Sequence, residues 1–96
     1  MEAMVHEVQF GRKARKQLRS LPAHIVNKVA TWVRAVELDG LESVRRLPGY
    51  HDEPLRGKRQ GQRSIRLSRA YRAIYEVRSD GAVEFVSIEE ISKHDY

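Results

Sequence analysis

The apolar positions of the first third of the chain predict a short strand followed by a helix. Residues 5–10 alternate imperfectly between apolar and polar side chains, which favours a β-strand. After Gly11, apolar residues recur at helical spacing at Ala14, Leu18 and Leu21, and basic residues occupy most of the other positions. This pattern predicts one short, strongly basic amphipathic helix.

A second helix is predicted to follow directly. Pro22 suits its first turn, and Asp39-Gly40 suits its end, where glycine can adopt the left-handed cap. Between them lies one apolar stripe, formed by Ile25, Val29, Trp32, Val33 and Val36. The two helices therefore form a hairpin with a shared apolar face that must pack against the rest of the chain.

Residues 41–63 are predicted to be mainly loop. They contain several residues that interrupt regular structure, namely Pro48, Gly49, Pro54, Gly57 and Gly61. At most a helical turn is expected, around residues 41–46. Loops of this kind often carry functional residues.

Three strands are predicted in the last third of the chain. Ile65 and Leu67 alternate with polar residues, and the run 71–77 leads to Asp80-Gly81, which is typical of a tight hairpin turn. Residues 83–88 are apolar on both faces, so this strand is expected to be central or covered by the helices.

These elements predict an α+β fold of the order β-α-α-β-β-β, in one domain spanning residues 1–96. Strands joined by short turns must be antiparallel neighbours, which gives an antiparallel-rich sheet of about four strands. The helical hairpin should cover one face of it, since nothing else in the chain can. We expect Arg66, Arg72 and the cations of the loop to converge on the other face.

The charge distribution points to a polyanionic partner. The net charge is +5 and the pI is near 9.9. The segment from Arg56 to Arg72 contains basic residues and no acidic one. Absence of cysteine excludes disulfides, thiolate catalysis and cysteine-based zinc sites. No apolar run has the length of a membrane span and no signal peptide is evident, so a cytoplasmic protein without membrane attachment is expected.

Two motifs near the middle of the chain resemble those of the RelE/ParE superfamily of bacterial toxins from toxin–antitoxin systems. One is the turn Pro54-Leu55-Arg56-Gly57, and the other is the strand Tyr71-Arg72-Ala73-Ile74-Tyr75. They are preceded by a basic helical hairpin and followed by a strand and the tail KHDY, so the resemblance covers nearly the whole chain. The tail of the chain resembles most closely the tails of the mRNA-cleaving branch of this superfamily.

The resemblance implies an mRNA endonuclease that acts on or off the ribosome and is neutralised by a cognate antitoxin. It places Glu53, Arg72, His94 and Tyr96 at catalytic positions. Asp95 separates His94 from Tyr96, so either could hold the proton-donor position. The basic positions that would bind RNA are Lys58, Arg59, Arg63 and Arg66.

The chemistry of RNA cleavage fits these residue types. Attack of the 2′-OH on the adjacent phosphate needs a base, positive charge on the transition state, and an acid for the leaving oxygen; no metal or other cofactor is required. Glu53 could act as the base, Arg72 could bind phosphate oxygens, and His94 or Tyr96 could move a proton.

Less specific interpretations remain open for each residue. The arginines could form a solvated strand face, Glu53 could simply pair with an arginine, and the last residues could be an exposed end without a role. Two other functions also remain, a gyrase inhibitor on the same scaffold and a non-catalytic RNA-binding module.

Overall fold

The computed structural model describes residues 4–93 and confirms the predicted α+β fold. The strands are β1 (Glu7–Phe10), β2 (Glu53–Pro54), β3 (Arg63–Arg66), β4 (Tyr71–Asp80) and β5 (Val83–Lys93). The helices are α1 (Arg12–Leu18), α2 (Ala23–Asp39) and α3 (Leu41–Arg45), with short 3₁₀ turns at Pro48–Tyr50 and Gly57–Arg59. Within this part of the chain, no helix is long and apolar enough to cross a membrane.

The strands form a five-stranded sheet in the order β1-β5-β4-β3-β2. β1 runs parallel to β5, and the other three pairings are antiparallel. The sequence predicted four of these strands and the interior position of β5. It assigned β2 to a loop because this strand is only two residues long and contains Pro54, which is tolerated at the edge of a sheet.

One hydrophobic core joins the helical hairpin to one face of the sheet. The predicted apolar stripe of α2 is buried in it, apart from the half-buried Val33. Trp32 packs on Tyr75 of β4, with ring centroids 5.2 Å apart and planes inclined by 47°. Burial of each large apolar side chain contributes about 1.5–3 kcal/mol, so this layer supplies most of the stability.

Helix α1 covers part of the edge of β5. β1 ends at Phe10, opposite Ile88, while β5 continues to Lys93. From that point on, the backbone of β5 is bound by Gly11 and by the last turn of α1: the Gly11 N–H donates to the Ile88 carbonyl at 2.8 Å, and the Ile91 N–H donates to Gln17 Oε1 at 2.7 Å. The basic helix therefore lies along this edge of the sheet.

A β-bulge in β5 determines which side chains face the core. Ile74 pairs with Glu90 and Tyr75 pairs with Ile88, so Glu89 is the extra residue. Because of this insertion, Ile88 and Ile91 both belong to the core although they are three residues apart. Glu90 consequently projects from the opposite face of the sheet.

The junction between α2 and α3 depends on Gly40. As predicted, α2 ends at Asp39 and the following glycine has a positive φ, with φ 87° and ψ 150°. This conformation is extended, not left-handed helical, because Gly40 also begins α3: its carbonyl accepts from the Val44 N–H at 3.2 Å. It is a backbone region accessible essentially to glycine alone.

Gly40→Ala should therefore lower the free energy of unfolding by about 1–3 kcal/mol, since a side chain at this φ and ψ is strained. An added Cβ would also lie 2.9 Å from Met4 Cε, a contact that the flexible methionine can relieve. Gly49→Ala is the matched control, because Gly49 has no positive φ and its Cβ would meet nothing within 4 Å. Urea denaturation of both variants measures the difference, and equal stabilities would contradict the assigned role of Gly40.

Candidate phosphate-binding face

The face of the sheet opposite the helices carries the candidate site. Residues paired across neighbouring strands project from the same face, and the pairs Ser64 with Ile74 and Arg66 with Arg72 alternate with residues of the core. We call this surface the open face. Its residues are Glu53, Ser64, Arg66, Arg72, Ile74, Glu90 and Ser92.

Arg72 of β4 lies near the middle of the open face and is held only loosely. Its Nη1 lies 3.5 Å from Ser64 Oγ and 4.0 Å from Glu53 Oε1. Both separations are long for a hydrogen bond. The side chain is 30% exposed, so its guanidinium group is available to a ligand.

Arg66 of β3 lies directly opposite Arg72. Its side chain has no ion pair or hydrogen bond to another residue within 4–93. Two like charges at directly opposed positions destabilise a sheet unless a counter-charge compensates them. The structure thus brings together two of the arginines that the sequence predicted to converge.

Glu53 occupies the short edge strand β2, opposite Ser64. Its carboxylate is 61% exposed and faces Arg72 at 4.0 Å. The predicted base and the predicted phosphate ligand are therefore neighbours on one surface. Their separation leaves the carboxylate free to accept a proton from another molecule.

Arg63 does not join this cluster. It lies on the other face of β3, opposite Tyr75, and its Nε donates to Asp52 Oδ1 at 2.5 Å. Asp52 is 1% exposed and accepts a second hydrogen bond from the Tyr75 hydroxyl at 2.6 Å. That hydroxyl accepts from Arg45 Nε at 3.2 Å, and burial raises the pKa of Tyr75, which keeps it protonated. The sequence alone could not assign Arg63 to a face of the sheet, because strand register decides the face and the loop before β3 concealed that register.

Lys58 and Arg59 lie in the 3₁₀ turn between β2 and β3. The exposed Lys58 side chain has no hydrogen bond or ion pair to another residue between Met4 and Lys93. Arg59, in contrast, donates to Glu90 Oε2 at 2.9 Å and to Gln62 Oε1 at 3.1 Å. The two neighbouring cations therefore differ in availability.

Glu90 is a residue of the open face that the sequence reasoning did not single out. Its side chain is 15% exposed and binds two cations, Lys13 Nζ at 2.5 Å and Arg59 Nη2 at 2.9 Å. The hydrogen bond from Lys13, together with the charge of Arg59, lowers the pKa of Glu90 below its ordinary value. Its weak signal in the sequence is its position between Ile88 and Ile91, since a glutamate with little exposure is usually paired.

The predicted proton donors His94 and Tyr96 lie outside the described residues. The last described residue, Lys93, pairs with Tyr71, and Ser92 pairs with Arg72. The described part of β5 therefore ends one register position beyond Arg72.

Together these residues form a surface suited to an anion. Two opposed arginines can neutralise a phosphate, and Arg72 can do so bidentately. A carboxylate stands beside them that can accept a proton. The chemistry that this arrangement allows is phosphate binding with proton transfer at one side.

Comparison with solved structures finds similar folds over nearly the whole chain. A YoeB/ParE toxin from Agrobacterium tumefaciens matches with a TM-score of 0.67 at 19% identity, covering 93% of this chain and 99% of the other. A chain of the RelBE2 toxin–antitoxin complex from Mycobacterium tuberculosis matches with a TM-score of 0.63 at 27% identity, covering 94% and 99%. The DinJ–YafQ toxin–antitoxin complex from E. coli gives 0.66 at 17% identity, covering 94% of each chain.

These similarities confirm the resemblance to RelE/YoeB-like toxins that the sequence motifs indicated. No protein-family model matches the sequence, and no curated protein matches it. The likeness therefore establishes the fold, and the function of this chain has to be argued from its own residues.

The ionised carboxylate of Glu90 should make stability dependent on pH. Because folding lowers its pKa from the ordinary value of 4.5, its contribution is complete above that pH and is lost as the pH falls through the folded value. Glu90→Gln should cost about 1 kcal/mol at pH 7 and flatten the loss of stability in acid. Glu84→Gln, at the exposed far end of β5, is the control, and denaturation between pH 3 and 7 is the measurement. If the free energy of unfolding falls equally with decreasing pH in wild type and in Glu90→Gln, this role of Glu90 is contradicted.

Proposed function

We propose that this chain is the toxin of a type II toxin–antitoxin system and that it cleaves mRNA, on or off the ribosome, by 2′-OH attack. The toxin fold supports the first part. The second part rests on one observation, the direct opposition of Arg66 and Arg72 on the open face beside Glu53. Inhibition of translation and growth follows from loss of mRNA.

The opposed arginines carry the proposal because residues 4–93 compensate their charge only weakly. Glu53 approaches Arg72 only to 4.0 Å, and Arg66 has no counter-ion within residues 4–93. A phosphodiester placed between them would relieve their repulsion. The two arginines would stabilise the phosphodiester most in the transition state, because negative charge then develops on its phosphate oxygens.

The roles of the residues follow from this placement. Arg72, with Arg66, stabilises the transition state; Glu53 accepts the 2′-OH proton; His94 or Tyr96 delivers a proton to the 5′ oxygen. Lys58 supplies a further phosphate contact at the rim. Neither a metal nor another cofactor has a step in this scheme.

The proposed protein partner is an acidic antitoxin. Two of the similar structures are toxin–antitoxin complexes, and this chain has a net charge of +5 and two opposed arginines on its open face. An acidic segment that folds on binding would cover such a surface. The gene beside the one for this chain is the first place to look for it.

Expression in a bacterial host tests the proposal against its alternatives. Rapid loss of translation with cut transcripts supports an mRNA endonuclease. DNA-damage signalling with intact transcripts would indicate a gyrase inhibitor, and a purified chain that binds RNA without cutting it or slowing growth would indicate a binding module.

Arg72→Ala should lower the rate of RNA cleavage by at least about 10²-fold, as loss of one transition-state donor does. Its contacts in the free protein are long, so stability should change by less than about 1 kcal/mol. Cleavage of a labelled RNA by the purified protein measures the rate, and denaturation measures the stability.

Arg78→Ala is the matched control for this substitution. Arg78 is exposed on the same strand, near the hairpin end, and pairs with Phe85. Arg78→Ala removes the same charge at a position distant from Glu53, so it should leave the rate of RNA cleavage nearly unchanged. Equal rates for the two variants would show that only the net charge matters.

Removal of residues 94–96 should separate catalysis from binding. The truncated chain keeps Lys93 and the whole of β5, so stability should change by less than about 1 kcal/mol and RNA binding should survive. If His94 or Tyr96 transfers a proton, cleavage should fall by roughly 10² to 10⁴. If the truncated chain cleaves RNA at the full rate, the proton transfers would have to be assigned to Glu53 and Lys58 instead.

A further inference from the structure

One carboxylate connects three separate elements of the fold. Glu90 belongs to β5; it binds Lys13 of α1 through Oε1 at 2.5 Å and Arg59 of the 3₁₀ turn through Oε2 at 2.9 Å. Each oxygen thus holds one cation. The side chain is only 15% exposed, so these contacts are screened less than those of a surface pair.

The contact with Arg59 spans the open face. Arg59 lies in the connection between β2 and β3, whereas Glu90 lies on β5, and β4 runs between them. Since neighbouring strands are about 4.8 Å apart, the turn and its arginine must reach about 10 Å across the sheet. Ile74, which pairs with Glu90, is exposed by only 9% although it lies outside the helix-covered core. The reach of Arg59 to Glu90 brings the arginine to the residue that pairs with Ile74.

The turn has little else to hold it in place. Its backbone hydrogen bonds outside the strands close within the segment itself, from Leu55 to Gln62 and between residues 56 and 62. Among the described residues, the attachment of the turn to the centre of the sheet is the ion pair of Arg59. Lys58 directly precedes Arg59 in the turn, so the position of Lys58 depends on this attachment.

We infer that Glu90 is a positioning residue: it fixes the turn that carries Lys58 over the open face, and it keeps Arg59 and Lys13 from binding phosphate. This inference rests on the proposed function. The lowered pKa of Glu90 agrees with it, because the carboxylate then stays ionised and bound to both cations at neutral pH.

Glu90→Gln distinguishes positioning from a merely structural role. It should lower kcat about tenfold to a hundredfold, since Lys58 is no longer held over the substrate. Its affinity for a single-stranded RNA should rise, because Arg59 and Lys13 are released. With one or two added phosphate contacts, the slope of log K against log salt should become steeper by about 0.7 to 1.4. If Glu90→Gln merely lost folded protein, the apparent kcat and the apparent RNA affinity would both fall, and the slope of log K against log salt would stay unchanged.

Two further variants complete the experiment. Glu84→Gln removes the same charge from the far end of the same strand and should match wild type in kcat and in salt slope. Arg59→Gln should lower kcat as Glu90→Gln does, without steepening the salt slope, since Glu90 then still holds Lys13. The double variant should be no slower than either single variant, because both act on the same contact.

Hydrogen exchange of the full-length protein gives a readout that needs no activity. Residues 56–62 should exchange faster in Glu90→Gln than in wild type, while the core strands stay protected. Unchanged exchange, unchanged kcat or an unchanged salt slope would each overturn the inference. Wild-type protein that fails to cleave RNA would overturn the proposed function and the positioning role with it, a result distinct from active wild type with an equally active Glu90→Gln.

Discussion

The antiparallel pairing of β4 with β5, with its bulge at Glu89, is the constraint on which the rest of the structure depends. It places Tyr75 and Ile91 in the core and Arg72 and Glu90 on the open face. If the same sequence continued in regular alternation past Ile88 without a bulge, Glu90 would point into the core and Ile91 would point to the open face. The bulge thus allows one strand to serve both the core and the charged face.

The two faces of the sheet are stabilised by different physical means. One is closed by the helical hairpin through apolar packing, with Trp32 against Tyr75 at its centre. On the other face, residues 4–93 place no such layer but charged groups, among them Glu90 with Arg59 of the turn Gly57–Arg59. A folded domain tolerates such a face because the first layer supplies the stability, so the second is available for binding.

Much of the fold could be predicted from local sequence, because its signals are local: the stripe of α2, the glycine after Asp39 and the apolar run of β5. The pairing of residues distant in sequence could not. Arg63 and Arg66 look equivalent in the sequence, yet they project from opposite faces of β3. Glu90 gave little indication of its role because its partners, Lys13 and Arg59, are 77 and 31 residues away.

Acidic residues decide which cations of this basic chain remain available. Asp52 is buried and binds Arg63; Glu90 binds Arg59 and Lys13; Glu53 is exposed and reaches Arg72 only at 4.0 Å. The difference follows from burial, since a desolvated carboxylate must be paired closely and an exposed one need not be. On the open face and the turn Gly57–Arg59, the described cations without a close carboxylate partner are therefore Arg72, Arg66 and Lys58. A count of positive charge along the segment 56–72 therefore overestimates the candidate binding surface, because carboxylates already pair with Arg59 and Arg63.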